Sequence, residues 1–299
     1  MILYNKQMKE MKIMRHTITF QCLLIMFLFS VIVILPAYSV DVTVAFLAGS
    51  NDLGEVEEAA YNWVNDEYPT TLLVADNSGT FKTDGGTAKK LDDYAVLWLF
   101  YTETNQLPAS FLADGTKKAI LNYVEAGGGI FLSALGLKYV VDMGVDDGGN
   151  ARVLQPLGKG PPEIGINPTA VFKDHPVYKG FDTSKPIFLT SMDQAGFSAD
   201  FINFKAAPPA GNILGTKTRG GGAGAGERPF VEYEVDEGKI ITLGHHNGVY
   251  TDTKSPESDN LRKLTMNVLN YLGENSAFFA VDPNGKLATT WGKLKSTSK

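Results

Sequence analysis

Four histidines occur in the 299-residue chain, and two of them, His245 and His246, stand side by side in Gly244-His245-His246-Asn247-Gly248, just past the apolar run Lys239 to Leu243. Sheets of the α/β class gather reactive groups at the carboxyl ends of their strands. One of the pair is therefore expected to face a pocket as a general base, with Asp193 or Asp52 as its acidic partner. The plainer alternative is a histidine that bonds backbone within a turn. Ser133 is a candidate nucleophile if a base lies beside it, but the Gly-x-Ser-x-Gly pattern is absent, because Phe131 and Leu135 hold the glycine positions. His175, in Asp174-His175-Pro176, reads more simply as a turn residue, since Asp and Pro already explain a turn. A metal on His245 or His246 with His175 and Asp193 would lack the spacing of the usual motifs, so neither a metal nor a cofactor is expected.

The elements that position these residues follow from apolar periodicity. Thr43 to Ala48, Thr71 to Ala75 and the unbroken apolar run Tyr94 to Phe100 read as buried strands, the last one central and covered on both faces. Between the first two, Val56, Ala59, Ala60, Trp63 and Val64 form one helical stripe, with Asn51 or Asp52 as cap and Glu55, Glu57 and Glu58 near the positive end of the helix dipole. Residues 76 to 90 read as loop. Leu107 to Ala126 reads as a helix that Gly127 ends in the left-handed conformation. The stretch Gly127 to Gly136 (GGGIFLSALG) then gives a strand, a sharp turn and the start of a helix running to about Met143. Phe230 to Val235 reads as a half-exposed strand with Glu232 and Glu234 outward, paired as a hairpin with Lys239 to Leu243. Asp259 to Leu272 is the last helix, with Ser258 or Asp259 as cap and Gly273 as stop. This alternation implies an α/β fold, a doubly wound, mostly parallel sheet with helices on both faces.

Residues 144 to 229 are rich in Gly and Pro and read as a loop-rich insertion, with short strands at Thr169 to Phe172, Ile187 to Leu189 and Ile213-Leu214. Residues 275 to 299 form a tail, read as a hairpin, an edge strand or a sorting segment bearing Trp291. Residues 1 to 39 have the order of a signal peptide: four bases, the apolar run Cys22 to Leu35, and small residues before Val40. An uncleaved N-terminal membrane anchor is the alternative, although the run is short of the about 20 residues a span needs. Cleavage takes Lys6, Lys9, Lys12, Arg15 and Glu10 from totals of 27 bases and 33 acids, leaving 23 against 32 and a net charge of −9. That balance argues against nucleic acid and anionic membrane surfaces as partners, and oligomeric state is left open. The only cysteine, Cys22, lies in the segment removed. Export without disulfides points to a periplasmic or secreted protein.

Three segments in order, Tyr123 to Ile130 (YVEAGGGI), Asp174-His175-Pro176 through Gly180-Phe181 with Asp193 beyond, and Glu237 to His245 (EGKIITLGH), together resemble the ThuA-like family over about residues 41 to 273. The resemblance implies a flavodoxin-like, class I glutamine amidotransferase-like domain over residues 40 to 274 and a role connected with sugar utilisation. Aligned with the amidotransferase elbow Gly-x-Cys-x-Gly, the chain reads Leu132-Ser133-Ala134-Leu135-Gly136. Ala134 then replaces the cysteine, and the acid two residues past the histidine becomes Asn247 or Gly248. A methyl group cannot form a thioester, so glutaminase chemistry is excluded on these residues. The expected pocket takes Ser50, Asn51, Asp52, Tyr101, Thr102, Ser133 and Ala134 at the sheet's carboxyl edge, with His175 added from the His-Pro segment. Its expected occupant is a small carbohydrate-type ligand or a protein partner. A sugar- or glycoside-processing enzyme with His245 or His246 as base, and a structural cell-surface domain, are the alternatives.

Overall fold

In the computed structural model the described residues are 42–102, 106–146, 155–157, 165–189, 196–198, 211–218, 229–244, 250 and 255–279. The chain runs through β1 (Val44–Ala48), α1 (Glu55–Glu67), β2 (Thr70–Ala75), the two-residue strands β3 (Phe81–Lys82) and β4 (Ala88–Lys89), and β5 (Val96–Tyr101). Then come α2 (Ala109–Leu112), α3 (Asp114–Glu125), β6 (Gly129–Ala134) and α4 (Tyr139–Asp142). The later elements are β7 (Gln155–Leu157), β8 (Gly165–Pro168), β9 (Ile187–Phe188), β10 (Gly196–Ser198), β11 (Asn212–Lys217), β12 (Phe230–Val235), β13 (Gly238–Leu243) and α5 (Pro256–Glu274).

Eleven strands make one sheet in the order β4-β3-β2-β1-β5-β6-β13-β12-β11-β8-β9, while β7 and β10 pair separately. The run β2-β1-β5-β6-β13 is parallel, and the strands flanking it on either side are antiparallel. Unbroken apolar strands end up here because both faces are covered. Val96, Trp98 and Phe100 of β5 join one core with Ala60 and Val64 of α1 and Leu261, Leu264 and Val268 of α5. Leu97 and Leu99 join the other core with Ile120 and Val124 of α3 and Val140 of α4. The protein is thus a mixed α/β fold built on one large sheet. Among the described residues no helix is long and apolar enough to cross a membrane.

Several expectations are corrected. The cap of α1 is Gly54 rather than Asn51 or Asp52, because the Glu57 carboxylate reaches back to accept the Gly54 N–H at 3.2 Å. Residues 76 to 90 are not all loop: β3 and β4 form a small hairpin that extends the sheet. The helix expected over Leu107 to Ala126 breaks at Ala113, which is extended (φ −64°, ψ 136°). Gly127 does end α3 at φ +99°. The stretch after β6 begins as a 3-10 turn, Leu135–Lys138, before α4. Thr169 to Phe172 is turn, and the strand lies just before it as β8. The 144 to 229 region also lends β8, β9 and β11 to the main sheet. Helix α5 starts earlier, capped by Ser255, whose hydroxyl accepts the Ser258 N–H at 3.1 Å. Gly273 lies inside α5 rather than stopping it. A Cβ there would come within 2.6 Å of the Val42 side chain, so its role is close packing. Glu232 is buried, not outward, whereas Glu234 is exposed.

Candidate functional site

Strand β6 ends in a strained turn. Ala134, fully buried, has φ 55° and ψ −132°, a region costly for any residue with a Cβ, of order 1–3 kcal/mol. Ala134 pairs with Tyr101 at the end of β5. Two residues on, Gly136 sits against β5 so closely that a Cβ would meet the Leu99 carbonyl oxygen at 2.5 Å. The turn therefore needs its glycine for close approach and carries its strain on alanine. Ser133, one residue earlier, points into the core. Its Oγ accepts a hydrogen bond from the Trp98 indole N–H at 2.7 Å and is buried. Trp98 in turn packs on Phe46, Phe131 and Tyr250, so the hydroxyl is held by an aromatic cluster.

Beside this turn, at the carboxyl ends of β1 and β5, lies a cavity of about 230 Å³. Ser50, Asp52, Glu57 and Tyr101 line it together with apolar residues that include Phe46, Leu99, Pro108 and Phe111. Of the residues expected in a pocket, the structure brings Ser50, Asp52 and Tyr101 to this wall, whereas Ser133 and Ala134 are buried and line neither this cavity nor the neighbouring groove. Thr102 stands just behind it, bonded to Glu57. Asn51 lies instead on a neighbouring groove that shares Asp52. Ser50 Oγ donates to the Asp52 carbonyl at 2.9 Å, which shapes the loop after β1.

Glu57 is the cavity residue that sequence reasoning missed. It is 4% exposed, and its Oε1 accepts the Thr102 N–H at 2.7 Å and the Thr102 hydroxyl at 3.4 Å. With the Gly54 contact it ties the start of α1 to the end of β5. Three glutamates in one helical turn look alike in sequence. Only the fold turns Glu57 inward, toward a residue 45 positions away.

His175 is placed elsewhere. Its Nδ1 accepts the Val177 N–H at 3.3 Å, its Nε2 lies 3.7 Å from Glu232 Oε2, and its ring stands edge-on to Tyr271 at 4.6 Å. Glu232 also accepts the Tyr271 hydroxyl at 2.7 Å and faces the Lys239 ammonium at 3.3 Å. Burial opposes its charge, but the bonds from His175 and Tyr271 and the Lys239 charge hold its carboxyl down to about 2. Burial and the Glu232 bond push the Tyr271 hydroxyl up to about 12. This network ties the 165–189 segment, β12, β13 and α5 together. His245, His246, Asp193 and the tail from residue 280 lie outside the described residues. Among those described, no group of three His, Cys, Asp or Glu side chains is arranged to hold a metal.

Comparison with protein-family models finds no match, and comparison with curated proteins finds none either. Solved structures do resemble the chain. PurLQS from Thermotoga maritima, which has a glutamine amidotransferase-like fold, superposes with a TM-score of 0.52 at 16% identity, covering 78% of this chain and 99% of that one. A thua-like protein from Bacteroides uniformis ATCC 8492 matches at TM-score 0.46 and 15% identity, covering 79% of this chain and 92% of its own. Another, from Parabacteroides merdae ATCC 43184, matches at 0.44 and 16%, covering 76% and 90%. At these identities the PurLQS likeness speaks for the fold.

Proposed function

We propose that this chain is an exported ThuA-like domain of the amidotransferase type whose elbow carries alanine, and that it binds a small carbohydrate-type ligand at the carboxyl edge of its sheet. The wind β2-β1-β5-β6-β13, second-first-third-fourth-fifth among the parallel strands, supports the flavodoxin-like reading. The observation that carries the proposal is Ala134 in a strained strand-to-helix turn beside a cavity lined by Ser50, Asp52, Glu57 and Tyr101. Such turns expose a nucleophile in hydrolytic enzymes, and a methyl group offers none. What is left is a largely apolar, aromatic-rich cavity with a few polar groups, Ser50, Asp52, Glu57 and Tyr101, the mixture that fixes small ligands.

The test is a thermal melting series across a panel of neutral sugars. The expected result is a saturable rise in Tm with at least one sugar, reduced in Tyr101→Ala. If no sugar moves the transition, the binding reading fails. Turnover of a glycoside that disappears in His245→Ala or His246→Ala would replace it with an enzyme reading. Fractionation of cells expressing the full chain tests export, which requires the product to begin near Val40.

A further inference from the structure

The cavity is small for a ligand site, at about 230 Å³ against the roughly 300–1,000 Å³ that such sites usually occupy. It is not alone. A groove of about 520 Å³ runs along the outer side of α1 to the β3–β4 turn, and Asp52 and Leu53 line both spaces. The groove wall is made of hydrogen-bonding side chains: Asn51, Glu58 and Asn62 on one side, Thr71, Thr83 and Asp84 on the other. Among the described residues no lysine, arginine or histidine lines either space. The amino end of α1, which alone would attract an anion, is already answered by Glu57 on the Gly54 N–H and flanked by Glu55 and Glu58.

We infer that cavity and groove form one cleft around the start of α1, and that it takes an uncharged glycan of two or more rings, one ring in the cavity and the next across Asp52 into the groove. This rests on the carbohydrate reading above and adds length and charge to it. Neutral hydroxyls match the mixture of amide, hydroxyl and carboxylate groups. Phosphorylated or acidic sugars meet carboxylates with no compensating cation, so they are rejected.

Isothermal titration of the full chain with glucose, galactose and mannose, their di- and trisaccharides and their 6-phosphates provides the test. The second ring is expected to tighten binding by about tenfold. Asn62→Ala combined with Asp84→Ala, at two exposed positions, brings the affinity for the longer chain down to that of the single ring. The phosphates bind more weakly than their parents. Binding of single rings with no gain from the second, or phosphates binding more tightly than their parents, overturns this inference and leaves the carbohydrate reading standing. No binding by any sugar overturns both.

Discussion

Glu57 and Glu232 are both carboxylates removed from water, at 4% and 3% exposure, yet their surroundings differ. Glu57 takes hydrogen bonds from two backbone N–H groups and a threonine hydroxyl, and it lines an open cavity. Glu232 is met by a histidine, a tyrosine and a lysine, and lines neither the cavity nor the groove. Charge at Glu232 is spent on holding four chain segments together. Charge at Glu57 orients the loop and strand end that wall the pocket. Burial alone does not mark a site; what matters is whether the buried group faces space that a ligand can fill.

Removing the Glu232 carboxylate should therefore be the most damaging change. Glu232→Ala leaves the Tyr271 hydroxyl without its acceptor and takes from Lys239 one of two carboxylates, the other being Glu234 at 3.1 Å, so the cost falls at about 3 kcal/mol, the low end for breaking a buried pair. Urea unfolding at neutral pH measures it, and a loss under about 1 kcal/mol would show that the network is worth no more than a surface pair.

A second test uses acid. The Glu232 carboxyl is held at about 2 against an ordinary 4.5. Because the folded value is the lower one, its contribution is fully present above about 4.5 and is lost as pH falls toward 2. That difference is worth about 3 kcal/mol. Asp76, held near 2 by the Ser78 hydroxyl, is exposed and titrates in the same window. The readout is therefore wild type minus Glu232→Gln across pH 5 to 2: the gap between them should close as the solution is acidified. A gap that stays constant would mean that Glu232 acts through shape and not charge.

Ser133→Ala comes next. It strands the Trp98 N–H in a dry aromatic cluster, a cost of about 1–3 kcal/mol, while any sugar-induced rise in Tm should persist. Loss of ligand response at unchanged stability would instead put the hydroxyl in the site. Glu57→Gln should lower both stability and binding. It replaces charged bonds with an amide that must turn its NH₂ toward either Gly54 or Thr102, at about 1–2 kcal/mol of stability. Sugar affinity should fall by about tenfold, which separates Glu57 from Glu232 more directly than burial does.

These residues also show how far the sequence could be read. The runs TVAFLA and YAVLWLF announce buried parallel strands because any strand covered on both faces must be apolar throughout, and β1 and β5 lie there. The stripe from Val56 to Val64 likewise announces α1. Glu232 is misread because alternation with Val231 and Tyr233 signals a wet face, and nothing local says that Tyr271 of α5, 39 residues later, covers that face at Glu232 while Glu234 stays out. The β3–β4 hairpin escaped for a different reason: two-residue strands are too short to show a period. At the cavity, the positions of Ser50, Asp52 and Tyr101 follow from the rule that loops after strands build pockets. Glu57 depends on a contact that no spacing encodes.

The smallest expected effect concerns the turn after β6, next to the end of β5. At φ 55°, Ala134 sits where a Cβ is crowded by its own backbone, and glycine is the residue that tolerates such a conformation. Ala134→Gly should relieve strain of order 1–3 kcal/mol, against about 0.5–1 kcal/mol of extra chain entropy lost on folding and the small apolar contact of one methyl. The net is a gain of about 0.5–1 kcal/mol, a Tm rise of a few degrees or less. A residue that lowers stability where a better one is available is best explained by what its Cβ does. Ala134 pairs with Tyr101, which lines the cavity, while its own methyl group lies in the core shared with α1 and α5. If Ala134→Gly stabilises the fold while weakening sugar binding, the methyl group acts on the binding surface through Tyr101. If it stabilises and leaves binding intact, the strain has no present use at this edge.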